Sequence, residues 1–313
     1  METSPANTPP SAVSPTCLHH RESTGRPRPA GLRRSKSGAE FPIRIGLALG
    51  GGFARGIAHA GVLRIFERHR IPIHCVTGVS AGAVVAAAFA SGATAEEIAR
   101  AGCSMRFADV GSWQPRRLGL VSSKCMHRFL ARLLKGDRFE TMQIPLGVLA
   151  TNLATGEPAC FCGTGDAFEP VRASCAFPGL FQPVLHEGQL LVDGAMSVSI
   201  PAGLARQLGA THVISVALPP PFPNEAPRNI LQVVSRCFQI LQSRSEESWR
   251  QASDIVIAPD VRGIDWRAFD RAPQIVRAGE AAALAALPEI HNWLSQARSV
   301  GAADTDIVPR LVA

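Results

Sequence analysis

A serine flanked by glycines is the residue of this sequence best suited to nucleophilic chemistry. The stretch GVSAG over 78–82 follows an apolar run and precedes an alanine-rich segment, an order typical of a sharp turn from a strand into a helix. Such a turn exposes the Ser80 hydroxyl, and Gly78 and Gly82 allow other backbone segments to approach closely. We therefore predict that Ser80 is a nucleophile in an elbow formed by these glycines, with a helix N-cap as the ordinary alternative.

A serine at its ordinary pKa needs a base, and three residues later in the chain could supply one. Asp193 ends the short apolar run Gln189–Val192 and is followed by a glycine, which allows a second segment to pack closely. An aspartate in this setting is otherwise a common turn residue. His212 and His291 are the alternatives by chain order, and either would indicate an α/β-hydrolase triad. Asp193 is the better placed of the three.

Three consecutive glycines lie between a predicted strand and a predicted helix within Gly46–Leu63. A turn of this kind presents several backbone N–H groups to an anion. Binding of a dinucleotide would require an acidic residue at the end of the second strand, and a P-loop would require a lysine. Neither residue occurs here. We therefore predict that the N–H groups of Gly51, Gly52 and Phe53 form an oxyanion hole for the reaction intermediate.

The segments around these motifs alternate between strand and helix patterns. Strands are predicted over Ile43–Leu49, Ile71–Thr77, 144–153 and 211–218, and helices over Ala54–His69, Ala81–Ser91, 203–210 and 230–250. This alternation predicts an α/β fold with a mainly parallel sheet and helices on both faces. The stretch Ile71–Ala95 has no charged residue, but its proline and glycines favour a buried strand, a turn and a helix over a membrane span.

The segment after the proline-rich loop Pro219–Pro227 predicts an amphipathic helix. Its apolar residues Ile230, Val234, Phe238 and Leu241 recur at helical spacing. A stripe of this kind more often packs on a protein core than lies on a membrane. We therefore predict that these four side chains pack against the rest of the domain.

Composition indicates a folded protein with unstructured ends. Of the 313 residues, 46% are hydrophobic and 18% are charged, and the net charge is +7. Much of the positive excess lies in residues 1–40, which are rich in proline and serine and too poor in large apolar residues to fold. We predict a disordered tail over 1–40, one folded domain over 41–298 and a flexible tail over 299–313. The domain itself is only mildly basic, so a nucleic-acid partner is not expected.

The eight cysteines are scattered and form no metal-binding pattern. Cys160 and Cys162 point the same way on a predicted strand, which is poor geometry for a disulfide. No secretory signal follows Met1. The sequence therefore predicts reduced thiols, no metal and a cytoplasmic protein.

Several other residues could have special roles, but an ordinary role is the better prediction for most. His59 is expected to be a packed, hydrogen-bonded histidine. Trp113, Arg116 and Arg117 are expected in a solvated loop, although a ring and two positive charges could also contact lipid head groups. A transient, peripheral contact with the inner membrane surface is therefore a possible partner interaction.

The ordered motifs resemble those of the patatin-like phospholipase family. They are the glycine-rich turn ending in Arg55-Gly56, the GVSAG elbow and the DGA motif that begins at Asp193. The similarity extends from about Pro42 to Ala297, and it is greatest to the bacterial single-domain branch related to the catalytic domain of neuropathy target esterase. The resemblance implies a three-layer α/β/α fold with a mainly parallel central sheet.

The resemblance also implies a Ser-Asp dyad that needs no catalytic histidine, metal or other cofactor. Ser80 would be the nucleophile, Asp193 the general base, and the N–H groups of Gly51 and Gly52 the oxyanion hole. Arg55 and Gly56 would support the glycine turn. The implied reaction is hydrolysis of a phospholipid, a lysophospholipid or another fatty-acyl ester through an acyl-serine intermediate. The particular lipid and the oligomeric state are left open.

Two positions depart from the family pattern. Phe53 stands where many relatives have glycine, which implies a narrower acyl pocket. Ser199 stands where an asparagine is usual, and this difference bears on the support of the loop that carries Asp193. A catalytically weak, lipid-sensing regulatory protein on the same fold is therefore the alternative to a hydrolase.

Overall fold

The computed structural model describes residues 43–218, 226–244 and 246–303. The predicted tail over 1–40 and most of the predicted loop Pro219–Pro227 lie outside the described residues. The final helix continues to Ala303, so the predicted domain boundary at residue 298 falls within it and residues 304–313 lie outside the described part. The domain boundaries stay a prediction.

Strands and helices alternate along the described chain. The strands are β1 (Ile45–Leu49), β2 (Ile73–Val79), β3 (Ser112–Arg116), β4 (Gly119–Ser122), β5 (Leu146–Asn152), β6 (Pro158–Cys162), β7 (Val184–His186), β8 (Gln189–Asp193), β9 (His212–Val216) and β10 (Ile255–Ile257). The α-helices are α1 (Ala58–Arg68), α2 (Ala81–Ala90), α3 (Ala95–Ser104), α4 (Phe107–Val110), α5 (Met126–Leu133), α6 (Phe168–Ser174), α7 (Ala202–Gln207), α8 (Ile230–Arg244), α9 (Glu246–Gln251) and α10 (Ala272–Ala303).

Eight of these strands form one sheet with a parallel centre. Their spatial order is β10-β9-β1-β2-β5-β8-β7, and β6 pairs along β5. From β10 to β5 neighbouring strands are parallel, whereas β6, β7 and β8 pair antiparallel with their neighbours. The carboxyl ends of β1 and β2 therefore meet at one edge of the sheet, where loops from several strands can build a site.

Helices cover both faces of this sheet, which confirms the predicted three-layer α/β/α architecture. Strand β1 is buried on both sides, as its continuous apolar sequence indicates. Leu47 and Leu49 belong to the large core under α1, α2 and α10, and Ala48 belongs to a second core under α7 and α9. The predicted strand and helix within Ile71–Ala95 are β2 and α2. No helix of the described chain is both long and apolar enough to cross a bilayer.

Two predicted elements differ from the observed ones. The predicted helix Ala54–His69 begins instead with a 3-10 turn over Phe53–Ile57, and α1 starts at Ala58. The predicted loop around Trp113 is an antiparallel hairpin of β3 and β4, whose proline obscures the strand pattern. The predicted helix over 230–250 corresponds to α8 and α9, which lie on either side of residue 245, and that residue is outside the described part of the chain. Cys160 and Cys162 lie on β6 and are not joined by a disulfide.

The packing predicted for α8 is wrong for three of its four apolar residues. Ile230, Val234 and Leu241 have exposed fractions of 77%, 39% and 66%. Phe238 alone among the four packs on the core, against a cluster that includes Val79. The apolar stripe of this helix therefore faces mainly away from the core.

Candidate active site

Ser80 occupies a strained turn between β2 and α2. Its φ is +54° and its ψ is −127°, a conformation that a residue with a side chain rarely adopts. A Cβ atom at Gly82 would lie 2.3 Å from the Leu49 carbonyl oxygen, and one at Gly78 would lie 2.4 Å from the Gly82 carbonyl oxygen. Both glycines are therefore needed where three backbone segments meet around the serine.

Ser174, at the end of α6, holds this turn in place. The backbone N–H of Ser80 donates to Ser174 Oγ at 2.8 Å, and Ser174 Oγ donates to the Leu149 carbonyl at 2.6 Å. Ser174 is fully buried, so its hydroxyl connects the elbow to β5 inside the protein. No local motif marks this residue in the sequence, because it lies 94 positions away from Ser80.

Asp193 lies at the end of β8, against the Ser80 hydroxyl. Ser80 Oγ donates to Asp193 Oδ2 at 2.7 Å, and the N–H of Ala195 donates to Oδ1 at 2.9 Å. A Cβ at Gly194 would lie 2.0 Å from the Leu149 carbonyl oxygen, which accounts for the glycine after the aspartate. Burial raises the pKa of Asp193 to about 7, although the hydrogen bonds from Ala195 and Ser80 act in the opposite direction.

Thr151 supports the loop that carries Asp193. Its Oγ1 donates to the Asp193 carbonyl at 3.0 Å and also lies 2.9 Å from Ser197 Oγ. Ser199, at the position where the family resemblance implies an asparagine, has its carbonyl oxygen beside Gly50. A buried threonine from β5 therefore contacts the loop directly, and the sequence analysis did not identify it.

The glycine turn lies directly beside the Ser80 hydroxyl. A Cβ built on Gly51 would be 3.8 Å from Ser80 Oγ. Among the residues that the structure describes, the N–H groups of Gly51 and Gly52 have no hydrogen-bond acceptor. They are therefore available to an anion beside the serine. Phe53, the third residue predicted for the oxyanion hole, follows them with a φ of +55°.

Arg55 and Gly56 fix the position of this turn. The N–H of Arg55 donates to the Gly52 carbonyl at 3.1 Å, and a Cβ at Gly56 would lie 2.5 Å from the Cβ of Ala81. Burial lowers the pKa of Arg55 to about 10, with Asp265 opposing the change. The guanidinium therefore remains charged at neutral pH beside the glycine turn.

His59 is placed for a structural role. His59 is fully buried, and its Nε2 donates to the Gly50 carbonyl at 2.8 Å, which agrees with the predicted packed histidine. Burial lowers its pKa to about 4, with the Gly50 hydrogen bond opposing the change, so the ring is neutral at physiological pH.

His212 and His291 lie away from Ser80. His212 begins β9 and pairs with the first residue of β1, at the amino end of the sheet. The length of β2 separates that end from Ser80, roughly 20 Å at the rise of a strand. The ring of His291 lies 5.9 Å from that of His69, which follows α1. Neither histidine is placed to complete a triad with Ser80.

Two cavities meet at Ser80. The first, here called the apolar cavity, has a volume of about 750 Å³ including its open mouth and is lined almost entirely by apolar side chains, many of them from α1, α2, α3 and α5. The second has a volume of about 730 Å³ and a lining that is also mostly apolar, and it is here called the polar cavity because it contains Arg55, Asp193 and the glutamines of α8. Phe53 lines both cavities, and its ring lies 4.7 Å from that of Trp266.

Comparison with protein families matches residues 47–206, about half of the chain, to the family described as patatin-like phospholipase. This stretch contains the glycine turn, the serine elbow and the DGA motif. The chain belongs to the patatin-like phospholipase family. Among the described residues of this patatin-like protein, no group of three or more His, Cys, Asp or Glu side chains could hold a metal ion.

Curated relatives are similar over much of the domain. Lysophospholipase NTE1 of Mycosarcoma maydis is 31% identical over 229 residues, which cover 71% of this chain and 12% of that protein. Lysophospholipase nte1 of Aspergillus fumigatus is 32% identical over 180 residues, which cover 55% of this chain and 12% of that protein. The chain therefore spans about an eighth of the length of these relatives.

The chain was also aligned with solved structures. The crystal structure of VipD from Legionella pneumophila aligns with a TM-score of 0.44 and 14% identity, covering 82% of this chain and 67% of that chain.

Proposed function

We propose that this patatin-like protein is a serine acyl hydrolase that cleaves lipid carboxylic esters with a dyad of Ser80 and Asp193. The observation that carries the proposal is the 2.7 Å hydrogen bond between Ser80 Oγ and the buried carboxylate. This distance lies within the range required for proton transfer to a general base. Membership of the family and the lysophospholipase names of the relatives support a lipid ester as the substrate.

In the first half of the reaction, Ser80 Oγ attacks the ester carbonyl carbon while Asp193 accepts the hydroxyl proton. The carbonyl oxygen becomes an oxyanion. The N–H groups of Gly51 and Gly52 are available to stabilise it, and their position beside Ser80 supports this role. The charge of Arg55, close to the same turn, also favours the anion.

Collapse of this intermediate expels an alkoxide and leaves an acyl group on Ser80. Protonated Asp193 gives its proton to the alkoxide, because the dyad has no imidazolium to do so. A water molecule then attacks the acyl-serine with Asp193 again as the base, which releases the fatty acid and regenerates the hydroxyl. A carboxyl pKa of about 7 suits both directions of transfer near neutral pH.

The two cavities support separate sites for the two halves of the substrate. The lining of the apolar cavity suits a fatty-acyl chain, and the polar groups of the polar cavity, which include Arg55 and the α8 glutamines, suit the alcohol portion. Phe53 would lie between them.

Hydrolysis of a chromogenic fatty-acyl ester tests the proposal. Ser80→Ala and Asp193→Asn are each expected to lower kcat at least about 1,000-fold, because each removes a group that acts in the transition state. Ser104→Ala, which removes an exposed hydroxyl on α3, is the matched control and should keep the activity of the parent protein. Undiminished turnover by correctly folded Ser80→Ala would rule out the dyad.

A catalytically weak lipid sensor is the second candidate, favoured by the aromatic ring of Phe53 at the junction of the two cavities. The two candidates differ in turnover. A sensor would bind a fatty-acyl ester stoichiometrically and leave it intact. Membership of a bacterial single-domain branch and a cytoplasmic location, peripheral at the inner membrane, remain predictions from the sequence.

A further inference from the structure

Helix α8 presents its apolar side to the outside and its polar side to the protein. Its exposed apolar residues, here called the outer face of α8, are Ile230, Val233, Val234, Ile240 and Leu241. At about 100° per residue these positions fall on one arc of roughly 120°. An ordinary surface helix has the opposite arrangement, with its apolar stripe buried.

The opposite side of α8 lines the candidate active site. Ser235, Gln239 and Gln242 border the polar cavity together with Ser80 and Asp193. Phe238 anchors this side, with its ring 5.4 Å from that of Phe177. Helix α8 therefore forms one wall of the polar cavity, and its outer face lies on the side of the helix that points away from this cavity.

The charge of α8 favours an anionic partner. The segment Ile230–Arg244 contains Arg236 and Arg244 and no acidic residue. At 100° per residue, Arg236 lies beside the apolar arc and Arg244 lies within it, at the C-terminal end of the helix. Arginines next to an apolar arc are typical of helices that lie in the interface of a membrane with anionic lipids. A purely hydrophobic protein contact would not require the positive charge.

We propose that the outer face of α8 binds an anionic lipid surface and places the polar cavity against it. The apolar side chains would enter the boundary between head groups and acyl chains, and the arginines would contact the head groups. The inference rests on the proposed function in one respect. If the substrate is a lipid in a membrane, the position of the outer face of α8 beside the candidate active site is explained. Binding itself requires no catalysis, so the two proposals can fail separately.

Vesicle flotation tests the binding with the full chain carrying Ser80→Ala, which prevents hydrolysis. The protein is expected to bind vesicles with about 30% phosphatidylglycerol in phosphatidylcholine more tightly than pure phosphatidylcholine vesicles, and to lose this preference in high salt. Replacing Val234 and Leu241 together by Gln should weaken binding at least about tenfold, because two apolar side chains no longer enter the membrane.

The control is Leu284→Gln, which changes a half-exposed leucine of α10 on the α1 face of the sheet and should leave vesicle binding unchanged.

A second measurement uses proteins that keep Ser80. With Val234 and Leu241 both replaced by Gln, the protein should hydrolyse a short, water-soluble ester at the wild-type rate. Equal binding by the parent and the double variant would overturn the inference. The inference would also be overturned if the protein with an unchanged α8 did not bind vesicles but formed a dimer, and the double variant was a monomer. If the wild-type protein did not hydrolyse the soluble ester, that result would contradict the proposed function but not the inference about membrane binding.

Discussion

Replacing Asp193 by Asn is expected to abolish hydrolysis and, at alkaline pH, to stabilise the fold. The carboxylate is 2% exposed and receives one hydrogen bond from Ser80 and one from Ala195. These bonds do not compensate for burial of the charge, because the net effect is a raised pKa. An asparagine keeps the shape of the side chain and carries no charge at any pH.

The magnitude follows from the pKa of the carboxyl group. Burial raises it from 3.8 to about 7 in the folded protein, so the folded state holds the proton more tightly than the unfolded state. The wild-type free energy of unfolding therefore falls as pH rises between these values, by about 4 kcal/mol at about 1.36 kcal/mol per pKa unit. The Asp193→Asn variant has no carboxyl group at this position, so its free energy of unfolding does not fall for this reason. Its advantage should be small near pH 4 and reach up to about 4 kcal/mol near pH 8.

Urea unfolding of both proteins at several pH values measures this difference directly. On the same preparations, wild-type kcat should rise with pH through about 7 as Asp193 loses its proton, and the variant should show no such rise. A stability difference that is the same at every pH would refute the reasoning. A variant less stable than the wild type near pH 8 would also refute it.

Four further substitutions test the surroundings of the dyad. Ser174→Ala leaves a buried N–H and a buried carbonyl unpaired, so chemical unfolding should show a loss of about 1–3 kcal/mol, and kcat should fall as the elbow loosens. Gly82→Ala would force a Cβ to 2.3 Å from the Leu49 carbonyl, and thermal unfolding should show a loss of at least about 3 kcal/mol or no folded protein. His212→Ala and His291→Ala should each keep kcat within about twofold, because neither histidine lies near the dyad; a large loss in either would revive the triad.

The sequence predicts the parts of the site whose geometry is local. The elbow depends on glycines two residues from Ser80, and the turn depends on consecutive glycines, so both appear as short motifs. Asp193 could be identified because a glycine follows it and because the family resemblance places a DGA motif after the serine elbow in the chain. Parallel strands separated by helices are likewise visible in hydrophobic periodicity.

The sequence does not predict contacts made across the fold. Ser174 and Thr151 lie 94 and 42 positions from the residues that they hold, and a lone serine or threonine has no pattern that reveals such a partner. The stripe of α8 shows that one side is apolar but not which side faces the core. The hairpin containing Trp113 was missed because a proline interrupts its strand.

Covalent labelling of Ser80 tests the central claim most directly. A fluorophosphonate probe reacts only with a serine that is activated by a base and stabilised by an oxyanion hole, and peptide mass spectrometry locates the adduct. The account predicts a single adduct on Ser80 that forms rapidly in the wild type and is nearly absent in Asp193→Asn. A folded wild-type protein that is unlabelled, or labelled at another serine, would contradict it.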